Sequence, residues 1–276
     1  MVSTIIITST LVVLVFAAVA VAQQVLKSYW PQNDLMVGRE FMVQVSNSLD
    51  NVAWNPGRSE PVPYTTHVGH IIFFPNTITY NITLTYINNN TKSFFYTSGI
   101  FLYRLPLHYY TMSDGYFERL PVNITDPSYR NDTEPRDLPV GVGPNATANR
   151  VFLVKESTGT ETNYIIFAVV PRFRLINSTI TLVNKTTVYY RLYIANLTLG
   201  TVAATQRAIT LQGTGLEITP YNGVKNMTVE VDFPRISQGF YNVFFHFSKT
   251  LQVDIPFPSN GVVVEVYIGE VTLSYG

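Results

Sequence analysis

The chain has 276 residues, 18 Lys and Arg balanced by 18 Asp and Glu, 46% apolar content and no cysteine. Zero net charge without a basic run leaves no electrostatic footprint for nucleic acid or anionic lipid. The missing thiols exclude thiolate catalysis, Cys-ligated zinc, iron–sulfur clusters, the cysteine-ligated blue-copper site and disulfide support, while the apolar share argues against disorder and suffices for one large core or two small ones.

Residues 5–22 form an apolar run that closes in Ala20-Val21-Ala22. This is the small-x-small pattern read by signal peptidase, so the run reads as a signal peptide over residues 1–22, cut between Ala22 and Gln23. No Lys or Arg precedes it, and the first cation is Lys27, which sets it apart from type IV pilin leaders with their cations directly before the apolar stretch. Left uncut, the 18 residues 5–22 would just span a bilayer as an anchor.

Residues 23–30 carry no charge except Lys27, and Pro31-Gln32-Asn33-Asp34 separates them from the next expected strand. In an extended conformation Val25 and Tyr29 lie on one face, Leu26 and Trp30 on the other, which suits a slot walled on both sides. Residues 23–34 therefore read as a donor strand and hinge, about 27 Å of strand that would complete a neighbour's sheet. The alternative is that the same residues pair within their own domain.

From residue 35 onward period two dominates. Over residues 77–86, Ile78, Tyr80, Ile82, Leu84 and Tyr86 alternate with Thr77, Thr79, Asn81, Thr83 and Thr85, the pattern of a strand with one face on a core. Residues 224–233 repeat it, with Met227, Val229, Val231 and Phe233 opposite Asn226, Thr228, Glu230 and Asp232. Further strands are expected at 40–46, 67–74, 93–105, 151–155, 164–170, 173–183, 188–199, 209–219, 240–247 and 262–275. Asn222-Gly223 and Asn260-Gly261 fit tight hairpin turns. No window outside the leader shows a capped apolar stripe of helical period. These features predict an all-β fold, an antiparallel β-sandwich of the jelly-roll or immunoglobulin-like kind, over residues 35–276. Residues 121–150, with five prolines and three glycosylation sequons, read as a long glycosylated surface loop or as a linker between two domains.

Nine Asn-x-Ser/Thr sequons lie downstream of the leader, at Asn81, Asn89, Asn123, Asn131, Asn145, Asn177, Asn184, Asn196 and Asn226. The 21 asparagines and a Ser plus Thr share of about 17% would give about four by chance. Both Asn81 and Asn226 fall on the polar face of their strands, where a sugar stands in solvent. The excess therefore points to an N-glycosylated exterior protein.

Catalytic signatures are missing: the sequence has no Gly-x-Ser-x-Gly, Gly-x-x-x-x-Gly-Lys, His-Glu-x-x-His or complete Gly-x-Gly-x-x-Gly motif. His67 and His70 stand three apart, on opposite faces of a strand, and His108 and His246 add no pattern. Glu118, Glu265 and Glu270 are the carboxylates to consider for glycoside chemistry, but Glu265 and Glu270, five apart on one strand, also face opposite ways. The expectation is a non-enzymatic protein without cofactor, metal or nucleic-acid partner.

A leader ending Ala20-Val21-Ala22, a short mature N-terminus from Gln23, an all-β body without cysteine and dense sequons resemble the archaeal thread filament subunits and related donor-strand pilins. The resemblance implies an extracellular surface filament for adhesion or cell–cell contact, a homopolymer joined head to tail by strand donation, carrying N-linked glycans and leaving the membrane once the signal is cut. It assigns no acceptor groove. The alternatives are a cell-envelope, S-layer-associated or carbohydrate-binding surface protein tethered by an uncleaved N-terminal helix.

Overall fold

A long helix and a curled sheet share the chain. The computed structural model describes residues 2–64, 69–106, 117–120, 140–143, 146–157, 163–182, 185–202, 208–232, 250–258 and 260–275. Among these, helix α1 (Val2–Ala53) is followed by β1 (Ser59–Pro63), β2 (His70–Tyr86), β3 (Thr91–Pro106), β4 (Phe117–Leu120), β5 (Val140–Val142) and β6 (Asn149–Ser157). Then come β7 (Asn163–Pro171), β8 (Phe173–Leu182), β9 (Lys185–Val202), β10 (Ala208–Asp232), β11 (Thr250–Pro256) and β12 (Val262–Tyr275).

The strands form one mixed sheet in the order β4-β6-β7-β3-β2-β10-β12-β9-β8-β5, with β1 and β11 also paired to β10. Two pairs are parallel, β9 with β12 and β5 with β8. β10 organises the sheet: its first part pairs with β12 from Ile209↔Tyr275 to Val224↔Val262, and its second with β2 from Val224↔Tyr86 to Asp232↔Thr79. Register shifts at Asn222/Val224 and Val224/Asn226 mark irregularities where β10 passes from β12 to β2, and a further shift at Gly213/Gly215 lies within the β12 pairing; bulges of this kind bend a strand and increase its twist. Asn222-Gly223 therefore lies inside a strand and joins no hairpin, correcting the sequence-based expectation. Asn260-Gly261 does sit in a turn, with Gly261 at φ 71°, but the strands it connects, β11 and β12, each pair with β10.

Two apolar cores lie on opposite faces of the sheet. The inner one collects Ile82 and Leu84 of β2, Leu102 of β3, Leu192 of β9, Val229 of β10 and Val264 of β12. Tyr80 of β2 contacts Phe173 of β8 across it, with ring centroids 4.6 Å apart, and the Tyr80 hydroxyl donates to the Pro171 carbonyl. Ser98 stitches β3 to β9: its hydroxyl donates to the Ala195 carbonyl at 3.1 Å and accepts from the Leu197 amide at 3.0 Å. The second core joins Phe101, Tyr103 and Leu105 of β3, Phe167 of β7, Leu211 of β10 and Leu273 of β12 to the C-terminal half of α1. Residues 100–103 of β3 thus alternate between two cores, which explains their unbroken apolar run.

Helix α1 overturns the reading of residues 23–46. Val25, Leu26, Tyr29 and Trp30 lie within the helix, and so does the expected strand at 40–46; the donor strand and hinge are helical. The reason is visible in the spacing of Phe41, Val45, Leu49 and Val52, joined by Met42 and Ala53, which makes one apolar stripe at three- and four-residue intervals. Period two in 40–46 is a shorter, weaker pattern than this one. α1 runs through Pro31, where the missing N–H removes one helical hydrogen bond. It ends at Ala53: the Asn55 side-chain amide donates to the Asn51 carbonyl at 2.6 Å, and the Gly57 amide to the Gly213 carbonyl at 2.8 Å.

Two glycines admit the helix end to the sheet. A Cβ on Gly213 would stand 2.3 Å from the Val52 carbonyl oxygen, and one on Gly269 2.2 Å from that of Ala53. Leu49→Ala leaves a cavity in the second core and should lower unfolding free energy by about 2–5 kcal/mol in urea titrations. Gly269→Ala should destabilise without removing any apolar group, by displacing α1; unchanged stability of either variant would contradict this packing.

Candidate functional site

The two halves of α1 have opposite surroundings. From Ile6 to Leu26 the helix carries no charge and none of it is buried. Phe16 is 70% exposed and Val13 66%. At 1.5 Å per residue these 21 residues reach about 31 Å, the thickness of a bilayer's hydrocarbon layer; a signal sequence has the same character. Val and Ile are modest helix formers in water, but an apolar medium forces the backbone to bond internally, which a helix does. The Ser9 and Thr10 hydroxyls donate to the Ile6 carbonyl at 2.9 and 2.7 Å, so their polar groups too are satisfied inside the helix. The Ala22–Gln23 bond lies in the middle of α1.

The other half is locked to the domain by polar groups beside its apolar stripe. Ser46 donates its hydroxyl to Asn149 Oδ1, and Asn149 Nδ2 donates to the Ser46 carbonyl at 3.2 Å. One turn on, Asp50 Oδ1 accepts the Ala148 amide at 3.0 Å. Arg172 Nε donates to the Thr147 carbonyl at 2.9 Å and its backbone amide to the Ala148 carbonyl at 2.9 Å, fixing the 147–149 segment against which Asp50 rests. Burial pushes the Asp50 carboxyl up to about 6, opposed by the Ala148 N–H, the Arg174 and Arg172 charges and Asn149. The helix end is held by aromatics: Trp54 meets Tyr193 edge-on at 5.1 Å, and Tyr193 stacks on Tyr267 at 4.7 Å.

Five sequon asparagines fall among the described residues. Asn89 occupies the turn between β2 and β3 with φ 61° and is exposed, and Asn177 of β8 is exposed opposite Tyr190. Asn81 of β2 and Asn196 of β9 are half-buried, with Asn81 donating to Glu230 at 2.9 Å. Asn226 of β10 lines an open cavity of about 540 Å³ with Thr85, Lys225, Pro256 and Phe257. Asn123, Asn131, Asn145 and Asn184 lie outside the described residues, as do most of loop 121–150 and the strand expected at 240–247.

Among the described residues the catalytic candidates Glu265 and Glu270 do not converge. Glu265 and Glu270 both belong to β12; Glu265 accepts from Arg191 Nε at 2.9 Å and from the Tyr267 hydroxyl at 3.1 Å, while Glu270 is exposed on the other face. His70 is exposed at the start of β2, and His67, His108 and His246 lie outside the described residues. Among the described residues no three His, Cys, Asp or Glu side chains form a metal-binding group. The residues that sequence reasoning missed are those of the helix seam: Phe41, Met42, Val45, Ser46, Leu49 and Asp50. Their helical spacing was the available signal. Comparison with protein families, characterised proteins and solved structures finds no match to the chain.

The seam carries a pH dependence. The folded Asp50 carboxyl holds its proton more tightly than an unfolded one near 3.9. Its contribution to stability is therefore fully present below about pH 4 and lost as pH rises through about 6. Asp50→Asn keeps the acceptor for the Ala148 amide. The wild type should lose about 2 kcal/mol relative to this variant between pH 4 and 7 in denaturant titrations; parallel curves would place the carboxylate in solvent.

Proposed function

We propose that this protein is an extracellular, N-glycosylated subunit of a surface filament, serving adhesion or cell–cell contact, whose copies assemble through α1. The observation that carries the reading is the division of α1: its C-terminal half is built into the domain, whereas Ile6–Leu26 is apolar and wholly exposed. A helix that is apolar all round needs covering by lipid or by other apolar helices. Lateral packing of the same segment from successive copies, offset along one axis, supplies that cover, and repeated contacts between unlike surfaces that do not close generate a filament. This replaces strand donation as the means of assembly while keeping a homopolymer of identical subunits. Before assembly the same segment fits a bilayer, where its hydrogen-bonded backbone is at home.

Supporting the exterior placement are the excess of sequons and the solvent exposure of Asn89 and Asn177. The absence of any cysteine leaves packing, sugar and assembly as sources of stability. The inner core, with Tyr80 of β2 meeting Phe173 of β8, supports reading the curled sheet as a β-sandwich whose two walls share β10. A second reading, an envelope or carbohydrate-binding surface protein tethered as a monomer by α1, is favoured by one observation: the span Ile6–Leu26 matches a bilayer in length.

Phe16→Lys places a charge in the exposed half and touches nothing in the domain. Filaments should be sheared from cells making the wild-type chain and be absent from cells making Phe16→Lys, with the thermal transition of the purified domain unchanged. Filaments from both would remove α1 from assembly, and wild-type protein found only as membrane-bound monomers would establish the tether.

A further inference from the structure

The outer face of β2 and β3 contains an exposed aromatic that packing does not explain. Phe95 of β3 is 68% exposed, whereas its neighbours Phe94 and Tyr96 pack against the inner core. Its directly opposed residue on β2 is Asn81, the first residue of the sequon Asn81-Ile82-Thr83. Opposed residues of an antiparallel pair share a face, with Cβ atoms about 5 Å apart. On its other side Phe95 borders an open edge: β7 pairs with β3 only from Phe101 to Pro106, and among the described residues nothing pairs with that side of residues 91–99. An exposed Phe on an unpaired strand edge invites association with other chains.

Resting on the glycoprotein reading above, we propose that the sugar attached to Asn81 lies across the Phe95 ring and covers this edge. Attachment forms a bond from Nδ2 to C1 of the sugar and breaks the C1–O bond to a lipid-linked phosphate donor, which leaves with one of the two Nδ2 protons. One N–H remains. Asn81 Nδ2 points to Glu230 Oε2 on β10 at 2.9 Å, the side away from β3. In a planar trans amide the remaining hydrogen lies on the Cβ side of the nitrogen and C1 on the Oδ1 side. In the proposed arrangement the hydrogen stays with Glu230, and C1 leaves on the side facing β3. There the axial C–H groups of a pyranose meet the negative face of the Phe95 ring, whose quadrupole favours such contact. Thr83, the hydroxyl residue of the sequon, is hydrogen-bonded to Ser93 at 2.8 Å on the same face.

The test is a two-by-two comparison of full-length protein made in a glycosylating host, with glycopeptide mass spectrometry on all sequons. The variants are Phe95→Thr, which keeps strand propensity, Asn81→Gln, and both together. Phe95→Thr should lower the melting temperature by about 2–4 °C when Asn81 is present and leave it unchanged in the Asn81→Gln background. Equal shifts in both backgrounds with Asn81 occupied would overturn the contact, and so would a bare Asn81 in protein whose Asn89 and Asn177 carry sugar; either outcome leaves the glycoprotein reading standing. Protein with no sugar at any sequon would overturn that reading and this inference together.

Discussion

The docking of residues 34–53 of α1 against the back of the sheet is the constraint on which the rest of the structure depends. It gives β3, β6 and β7 a second apolar face to cover, sets glycine at Gly213 and Gly269 where the helix end meets strand backbone, and requires the polar latch of Ser46, Asp50 and Asn149 at its margin. A sheet with only the inner core would leave Phe101, Tyr103, Phe167 and Leu273 in water. Burying a side chain of this kind stabilises by about 1.5–3 kcal/mol, so this half of the helix is part of the domain's core.

The domain accordingly has two kinds of surface. One is the helix that leaves it, uncharged and exposed from Ile6 to Leu26, which must be covered by something apolar. The other is the outer face of the strands, where Asn81 and Asn226 stand beside Thr, Ser and Glu side chains, with Asn89 in the turn between β2 and β3. Sugar on these asparagines would keep that face from packing, and would leave α1 as the place where copies meet. Strand pairing between subunits is a different device, and it needs an extended segment that residues 23–34 do not provide.

The alternation over residues 77–86 placed β2 because Ile78, Tyr80, Ile82 and Leu84 make one apolar row against the inner core with a polar row outside, whereas β12 changes faces along its length, with Val264 in the inner core and Leu273 in the second. Residues 100–105 were legible as a strand but not as one buried on both faces, since a continuous apolar run does not say what covers it. The Pro-rich β1 and three-residue β5 had no period to detect; pairing with β10 and β8 defines them. The largest misreading came at residues 23–46. Pro31 argued for a break, and Phe41, Val43 and Val45 alternate locally, but the longer stripe through Leu49 and Val52 and an apolar segment continuous with it favour one helix. The seam residues Ser46 and Asn149 are 103 positions apart in sequence and became partners only through that packing.

Assembly through α1 stands or falls on whether its apolar half is still present in the protein at the cell surface. Mass spectrometry of the N-terminal peptide from filaments or envelope protein reads this directly. Peptides containing Phe16 and spanning Ala22–Gln23 are the result expected if α1 assembles the subunits. A mature chain beginning at Gln23 would contradict it, because the segment that assembly rests on would have been removed.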